Sequence, residues 1–195
     1  MDPILKHHFN NFKTSFEINS EGKTPEETKL KESKAFEKFV NYVLFSLDFP
    51  EIFTADVDLL DYVCVGGGND TGIDGIGIKI NDRIVRSIEN VKDIADASRK
   101  IVVEFVFIQS KMQHGFDIGE FSKFSLGIKS FFSEGYLPEN VHIREIREIK
   151  DYIYSDPKVI SKLENTPRLD IFYVTTGTEA SEDANFIGAQ KSLSN

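Results

Sequence analysis

Residues 101–111 read IVVEFVFIQSK. The run is rich in β-branched and aromatic residues and apolar at odd and even positions alike until its end, which predicts a central strand of a sheet covered on both faces. Side chains on a strand alternate between faces, so Ile101, Val103, Phe105, Phe107, Gln109 and Lys111 share one side. Val102, Glu104, Val106, Ile108 and Ser110 share the other. Gln109 and Lys111 therefore project together from the strand's exit, where a buried sheet presents polar groups at its rim. Glu104 faces away from them, toward a cation on the opposite side.

Upstream, GIDGIGIKI alternates Ile76, Ile78 and Ile80 with Gly77 and Lys79, and Asn81-Asp82 offers a turn before RIVRSI. This predicts a β-hairpin. Asp74 is placed on its first strand, where Gly72, Gly75 and Gly77 allow close backbone approach. Residues 58–65, DLLDYVCV, read as another strand, closed by Gly66-Gly67-Gly68-Asn69-Asp70. Thr24-Pro25-Glu26-Glu27 is a helix start, with a capping Thr, Pro in the first turn and acids at the positive end of the helix dipole. That helix should run to about Ser46, burying Phe36, Phe39, Val40, Val43 and Leu44 along one stripe with Glu37 beside it. Phe9, Phe12 and Phe16 predict a short amphipathic helix within an N-terminal extension over residues 1–33.

Downstream of the central strand, Phe121, Phe124, Ile128, Phe131 and Phe132 predict a helix over 118–132 that stops at Gly135; Leu126 falls off its stripe. A second helix is expected from Val141 to Tyr154, and Asp156-Pro157 opens a third to about Glu164. The stretch from Glu89 to Lys100 reads as helical or irregular. LDIFYVTT, residues 169–176, reads as a further buried strand, and a polar tail follows Glu179. This order of elements is that of one α/β layered domain spanning residues 1–195.

Composition narrows the function classes. A 40% hydrophobic content is enough to bury one substantial core over this length. Cys64 is the only cysteine, which excludes an internal disulfide and any multi-cysteine zinc site. No histidine has a ligand partner at a diagnostic spacing, and Gly66-Gly67-Gly68 lacks the Gly-Lys-Ser/Thr of a phosphate-binding loop. No run approaches the ~18–20 apolar residues of a membrane span, and the N-terminus lacks a signal peptide's pattern, so a cytoplasmic protein without a membrane partner is expected. A net charge of −9 has the wrong sign for a protein that simply coats nucleic acid. It is compatible with a carboxylate centre neutralised by divalent cations. The ending GAQKSLSN carries no obvious stop, which fits the N-terminal part of a longer protein with further C-terminal domains.

An Asp on a Gly-rich strand, followed on a later strand by Glu or Gln, any residue and Lys, resembles the signature of the PD-(D/E)XK nuclease superfamily, whose Mrr-like members carry Gln. The matching pieces are Gly72-Ile73-Asp74-Gly75 and Phe107-Ile108-Gln109-Ser110-Lys111. Ala35-Phe36-Glu37-Lys38-Phe39 resembles the family's opening helix, whose Glu lies near the metal site. Over roughly residues 35–177 the chain looks most like the N-terminal nuclease domain of abortive-infection phage-resistance (AIPR) proteins.

The resemblance implies a restriction-endonuclease-like mixed central sheet flanked by helices. It also implies a Mg2+ or Mn2+ centre that cuts nucleic-acid phosphodiesters in phage defence, with DNA favoured over RNA and two copies pairing to cut two strands. Asp74 would supply the charged metal ligand, the Gln109 side-chain carbonyl a neutral one, and the Ser110 backbone carbonyl another. Glu37 would bind directly or through water. Lys111 would stabilise charge on the phosphate or orient the attacking water. Gln113 and His114, just beyond, would touch substrate. Gln in place of Glu removes a negative charge from the cation site, so a second reading stands beside the first: a catalytically degenerate nuclease fold kept as a nucleic-acid or protein-binding module.

Overall fold

In a computed structural model, which describes residues 1–47, 50–56, 58–133, 135–177 and 191, the apolar run at 101–111 forms the centre of a mixed sheet. The elements are α1 (Pro3–Ser15), α2 (Pro25–Phe45), α3 (Ile52–Ala55), α4 (Asp58–Val63), β1 (Gly75–Ile80), β2 (Arg83–Val85), α5 (Ile88–Ala97), β3 (Val103–Lys111), α6 (Ile118–Phe132), α7 (Val141–Ser155), α8 (Pro157–Lys162) and β4 (Arg168–Thr175). The sheet order is β2-β1-β3-β4. β1 runs antiparallel to β2 and β3, and β3 parallel to β4. Helices cover both faces, so the domain is of the α/β class expected from the sequence.

The hairpin between β1 and β2 turns at Asn81 and Asp82, with φ of 48° and 66°. These left-handed values fit a two-residue hairpin turn, and Asn and Asp are the non-glycine residues that best tolerate them. Alternation on β3 then builds two cores. Phe105 and Phe107, with Ile76, Ile78 and Ile80, pack against Phe121, Phe124 and Ile128 of α6 and Ile146 of α7. Val106 and Ile108 face Phe36, Phe39 and Val40 of α2, on which α1 lays Phe9 and Phe12. The amphipathic N-terminal helix is thus part of a core. Glu104 meets its cation on the α2 side of β3: Arg168 at 3.0 Å and Lys79 at 4.0 Å.

Four elements differ from the sequence reading. Residues 58–65 do not form a strand: 58–63 are the helix α4, and Cys64 makes only an isolated bridge to Gly75. Leu59, Leu60 and Val63 are buried at helical spacing with Asp58 and Asp61 in the first turn, but so short an apolar run carries no decisive period. Asp74 lies one residue before β1 rather than on it. RIVRSI gives only the three residues of β2 before Ser87 caps α5 by accepting from the Asn90 N–H at 3.2 Å. β4 is half-buried rather than buried, because it stands at the end of the strand order. The tail after Glu179 lies outside the described residues, apart from residue 191.

Gly75 shows how tightly α2 is pressed onto the sheet. A Cβ at this position would lie 1.9 Å from Asn41 Oδ1, inside a fully buried contact. Gly75→Ala is therefore expected to destabilise the fold by about 2–3 kcal/mol, read as a fall in the chemical-denaturation midpoint. An unchanged midpoint would show that α2 can move away from β1.

Candidate active site

The sheet opens where β1 begins and β3 ends. Asp74 donates its backbone N–H to Ile108 O at 2.9 Å, extending the ladder by one residue. Beyond it the strand partner is replaced by a side chain: Asp74 Oδ2 accepts the Ser110 N–H at 2.7 Å, and the Ser110 hydroxyl lies 3.4 Å from the same oxygen. The Ser110 carbonyl points to this same edge, past the last paired residue of β1, because N–H and C=O of a strand residue share a side.

The Asp74 carbonyl accepts from Val65 N, Gly66 N and Asn41 Nδ2 at 3.0, 3.2 and 3.2 Å. Both ends of the residue are thereby held before any ligand arrives. Asp74 as a whole is 6% exposed.

One helical turn before Asn41, α2 presents Glu37. The point where a Cβ at Gly66 would sit lies 2.9 Å from Glu37 Oε2 and 3.4 Å from Asp74 Oδ1. Two acidic side chains thus face one gap beside Gly66, which has no side chain to fill it. The loop bearing that gap is braced from within and without. Asp70 accepts from Gly67 N at 2.9 Å and Gly72 N at 2.8 Å, while Asn140 donates its side-chain N–H to Val65 O at 2.8 Å and its backbone N–H to Asn69 O at 2.9 Å. Asn69, Thr71 and Gly72 take left-handed backbone angles.

The electrostatics follow from this burial. Desolvation, reinforced by the Asp74 charge, pushes the Glu37 carboxyl up to about 7 despite the opposing field of Lys111. Desolvation likewise raises Asp74 to about 6, against the Ser110 N–H and Lys111, which favour its ionised form. Lys111 sits at 2.9 Å from Glu120 Oε2 in the first turn of α6. Partial burial opposes its ammonium, but the Glu120 hydrogen bond and the Asp74 charge prevail and raise its pKa.

The sequence-predicted residues fall into three groups. Asp74, Glu37 and the Ser110 backbone come together at the gap, with Lys111 in the same field. Gln109 leaves β3 on the α6 side, fully buried, with neither amide atom hydrogen-bonded. Continuing the β1–β3 register by one residue sets Asp74 opposite it, and a Cβ at Gly72 would lie 3.2 Å from its Nε2. Gln113 and His114 are exposed and tied instead to the end of β4: Gln113 O accepts from Thr176 N at 3.0 Å, and Gly177 packs on the His114 carbonyl.

Three supporting residues escaped the sequence reading. Glu120 lies in the first turn after the capping Asp117, a pattern that announces a helix start and nothing more. Asn41 lies near a Phe-rich stripe, and Asp70 reads as a turn residue. Their partners are 9, 33 and 2 or 3 residues away, respectively.

Among the described residues, no group of three or more His, Cys, Asp or Glu side chains is arranged to hold a metal ion. The oxygen donors at the gap are two carboxylates and the Ser110 carbonyl, with the unpaired amide of Gln109 buried on the α6 side. An all-oxygen set of this kind suits a hard divalent cation, and the raised carboxyl pKa values mark negative charge that such a cation would offset. No protein-family model matches this chain, and no curated protein or solved structure matches it significantly. Fold and site together define an α/β domain whose open sheet end carries an acid pair, Asp74 buried and Glu37 half-buried, beside a lysine. No described helix is long and apolar enough to cross a membrane.

Proposed function

We propose that this protein is a metal-dependent nuclease of PD-(D/E)XK type that hydrolyses nucleic-acid phosphodiester bonds. The observation carrying the reading is the meeting of Asp74 and Glu37 at the Gly66 gap, with Lys111 on the neighbouring strand end. Asp74, Glu37, Gln109 Oε1 and the Ser110 carbonyl would hold Mg2+ or Mn2+, whose chemistry would be to polarise the scissile phosphate and acidify a water. Lys111, held by Glu120, offers a cation to the developing phosphate charge or to the attacking water. The Ser110 N–H fixes the Asp74 carboxylate, so this ligand needs little reorganisation.

By its resemblance to AIPR proteins, the chain acts in antiviral defence in the cytoplasm. DNA is favoured over RNA as substrate. The test is cleavage of single- and double-stranded DNA and RNA with Mg2+ or Mn2+, run beside Lys111→Ala. Metal-dependent cutting that survives this substitution would sink the proposal.

A second reading, a degenerate nuclease fold that binds nucleic acid or protein without turnover, is favoured by the neutral, buried and unpaired amide of Gln109. Gln109→Glu separates the two. If Gln109 is a ligand, the new carboxylate is expected to tighten Mg2+ binding about tenfold in calorimetry and to lower the melting temperature only without the metal. A destabilisation that Mg2+ does not relieve assigns Gln109 to the core alone.

A further inference from the structure

We propose that a cleft of about 540 Å³ beside the loop that bears Gly66 is a subsite for one unpaired nucleotide next to the scissile phosphate; this rests on the nuclease reading. The cleft lies between the loop after α4 and the outer face of α6, lined among others by Gly67, Thr71, Lys123, Leu126, Leu137 and Pro138. Asp70, whose charge acts on both Glu37 and Asp74, also lines it. Gly67 adjoins the Gly66 gap, and Gly119 in its rim precedes Glu120, the partner of Lys111. A chain whose phosphate reached the acid pair would lay its neighbouring nucleotide here.

The lining matches the two halves of a nucleotide. Leu126 is the apolar residue of α6 that falls off the buried stripe, and it is 51% exposed. With Leu137 and Pro138 it forms an apolar wall suited to the flat face of a base. Lys123, also exposed, supplies a cation on the same rim, ion-paired at 3.7 Å with Asp70 Oδ1, itself part of the lining. The volume falls within the range of about 300–1,000 Å³ usual for small-ligand pockets. Only an unpaired nucleotide can offer a base face to such a wall, because in a duplex the faces are stacked; the substrate class is single-stranded nucleic acid or a strand with an extruded nucleotide.

The floor is preformed. Gly127 receives Thr71 so closely that a Cβ there would lie 2.6 Å from the Thr71 carbonyl oxygen. Asp70 and Asn140 brace the loop above it.

The test measures binding to the full chain carrying Lys111→Ala, so that nothing is cut, using a single-stranded oligonucleotide with a fluorescent base analogue, as DNA and as RNA, and its duplex. Leu126→Glu is expected to weaken single-strand binding about tenfold in at least one of the two sugars, the size of one lost base contact. Ile160→Glu, the same added charge at an exposed site on α8, should leave it unchanged. The duplex should bind the parent more weakly and respond little to Leu126→Glu. The subsite is overturned if Leu126→Glu proves as harmless as Ile160→Glu, or if the duplex competes as well as the single strand. If cleavage by the unsubstituted chain still depends on Asp74 in that case, only the subsite falls. If no nucleic acid is bound or cut, the nuclease reading falls with it.

Discussion

Asp74→Asn is expected to reduce phosphodiester cleavage by about a thousandfold or more while raising the melting temperature at pH 8. The two effects have one cause. Asp74 is nearly inaccessible, and burial lifts its carboxyl from 3.8 to about 6, so above that pH the folded chain carries an ion it solvates poorly. At 1.36 kcal/mol per unit, the neutral amide should recover about 2–3 kcal/mol. It keeps an oxygen able to accept the Ser110 N–H at the position where Oδ2 accepts it at 2.7 Å, so the local geometry is preserved. What is lost is the charged ligand and its pull on Lys111. Activity retained alongside the gain in stability would remove Asp74 from the catalytic machinery.

The second large effect is a pH-dependent response to divalent cations. Glu37 is raised from 4.5 to about 7 and Asp74 from 3.8 to about 6. Between the ordinary and the raised values the folded chain holds protons that the unfolded chain has released, so stability from this source is fully present below about pH 4. It is lost as pH rises through 6 and 7. The loss amounts to about 2–3 kcal/mol from Asp74 and, after discounting for its partial exposure, about 1–2 kcal/mol from Glu37. Mg2+ competes with those protons. At a hundredfold excess over its dissociation constant it should add about 3 kcal/mol at pH 8, roughly 6–10 °C in melting temperature, and almost nothing at pH 5. The acid limb of the cleavage rate should fall in the same window. Equal stabilisation at both pH values, or none at either, would show that the acid pair does not hold the cation.

Much of this arrangement was legible in the sequence, for reasons that differ by element. Long segments with a clean period were read to within a residue or two: α6 through its Phe and Ile spacing, α2 through its Thr24-Pro25 start, and β3 through its β-branched and aromatic run. The failure at 58–65 came from a segment too short for its period to show, settled by packing Leu60 and Val63 against α2 and the sheet. Helical spacing made Glu37 legible only as a charge beside an apolar stripe, and its place near a metal was an expectation from the resemblance alone. Gln109 was legible as a motif position, but its depth and its unpaired amide were not.

The sequence by itself determined the α/β class, the two faces of β3 and the hairpin before it, because alternation and helical spacing are local properties of the chain. Only the tertiary structure decided that Asp74 leaves the strand to cap Ser110, that Glu37 arrives at the same gap from a helix 37 residues earlier, and that Glu120 holds Lys111. Those relations depend on how α2 and α6 seat against the sheet. The raised acidities of the pair depend on it too, since burial and a neighbouring charge exist only once distant segments have packed together.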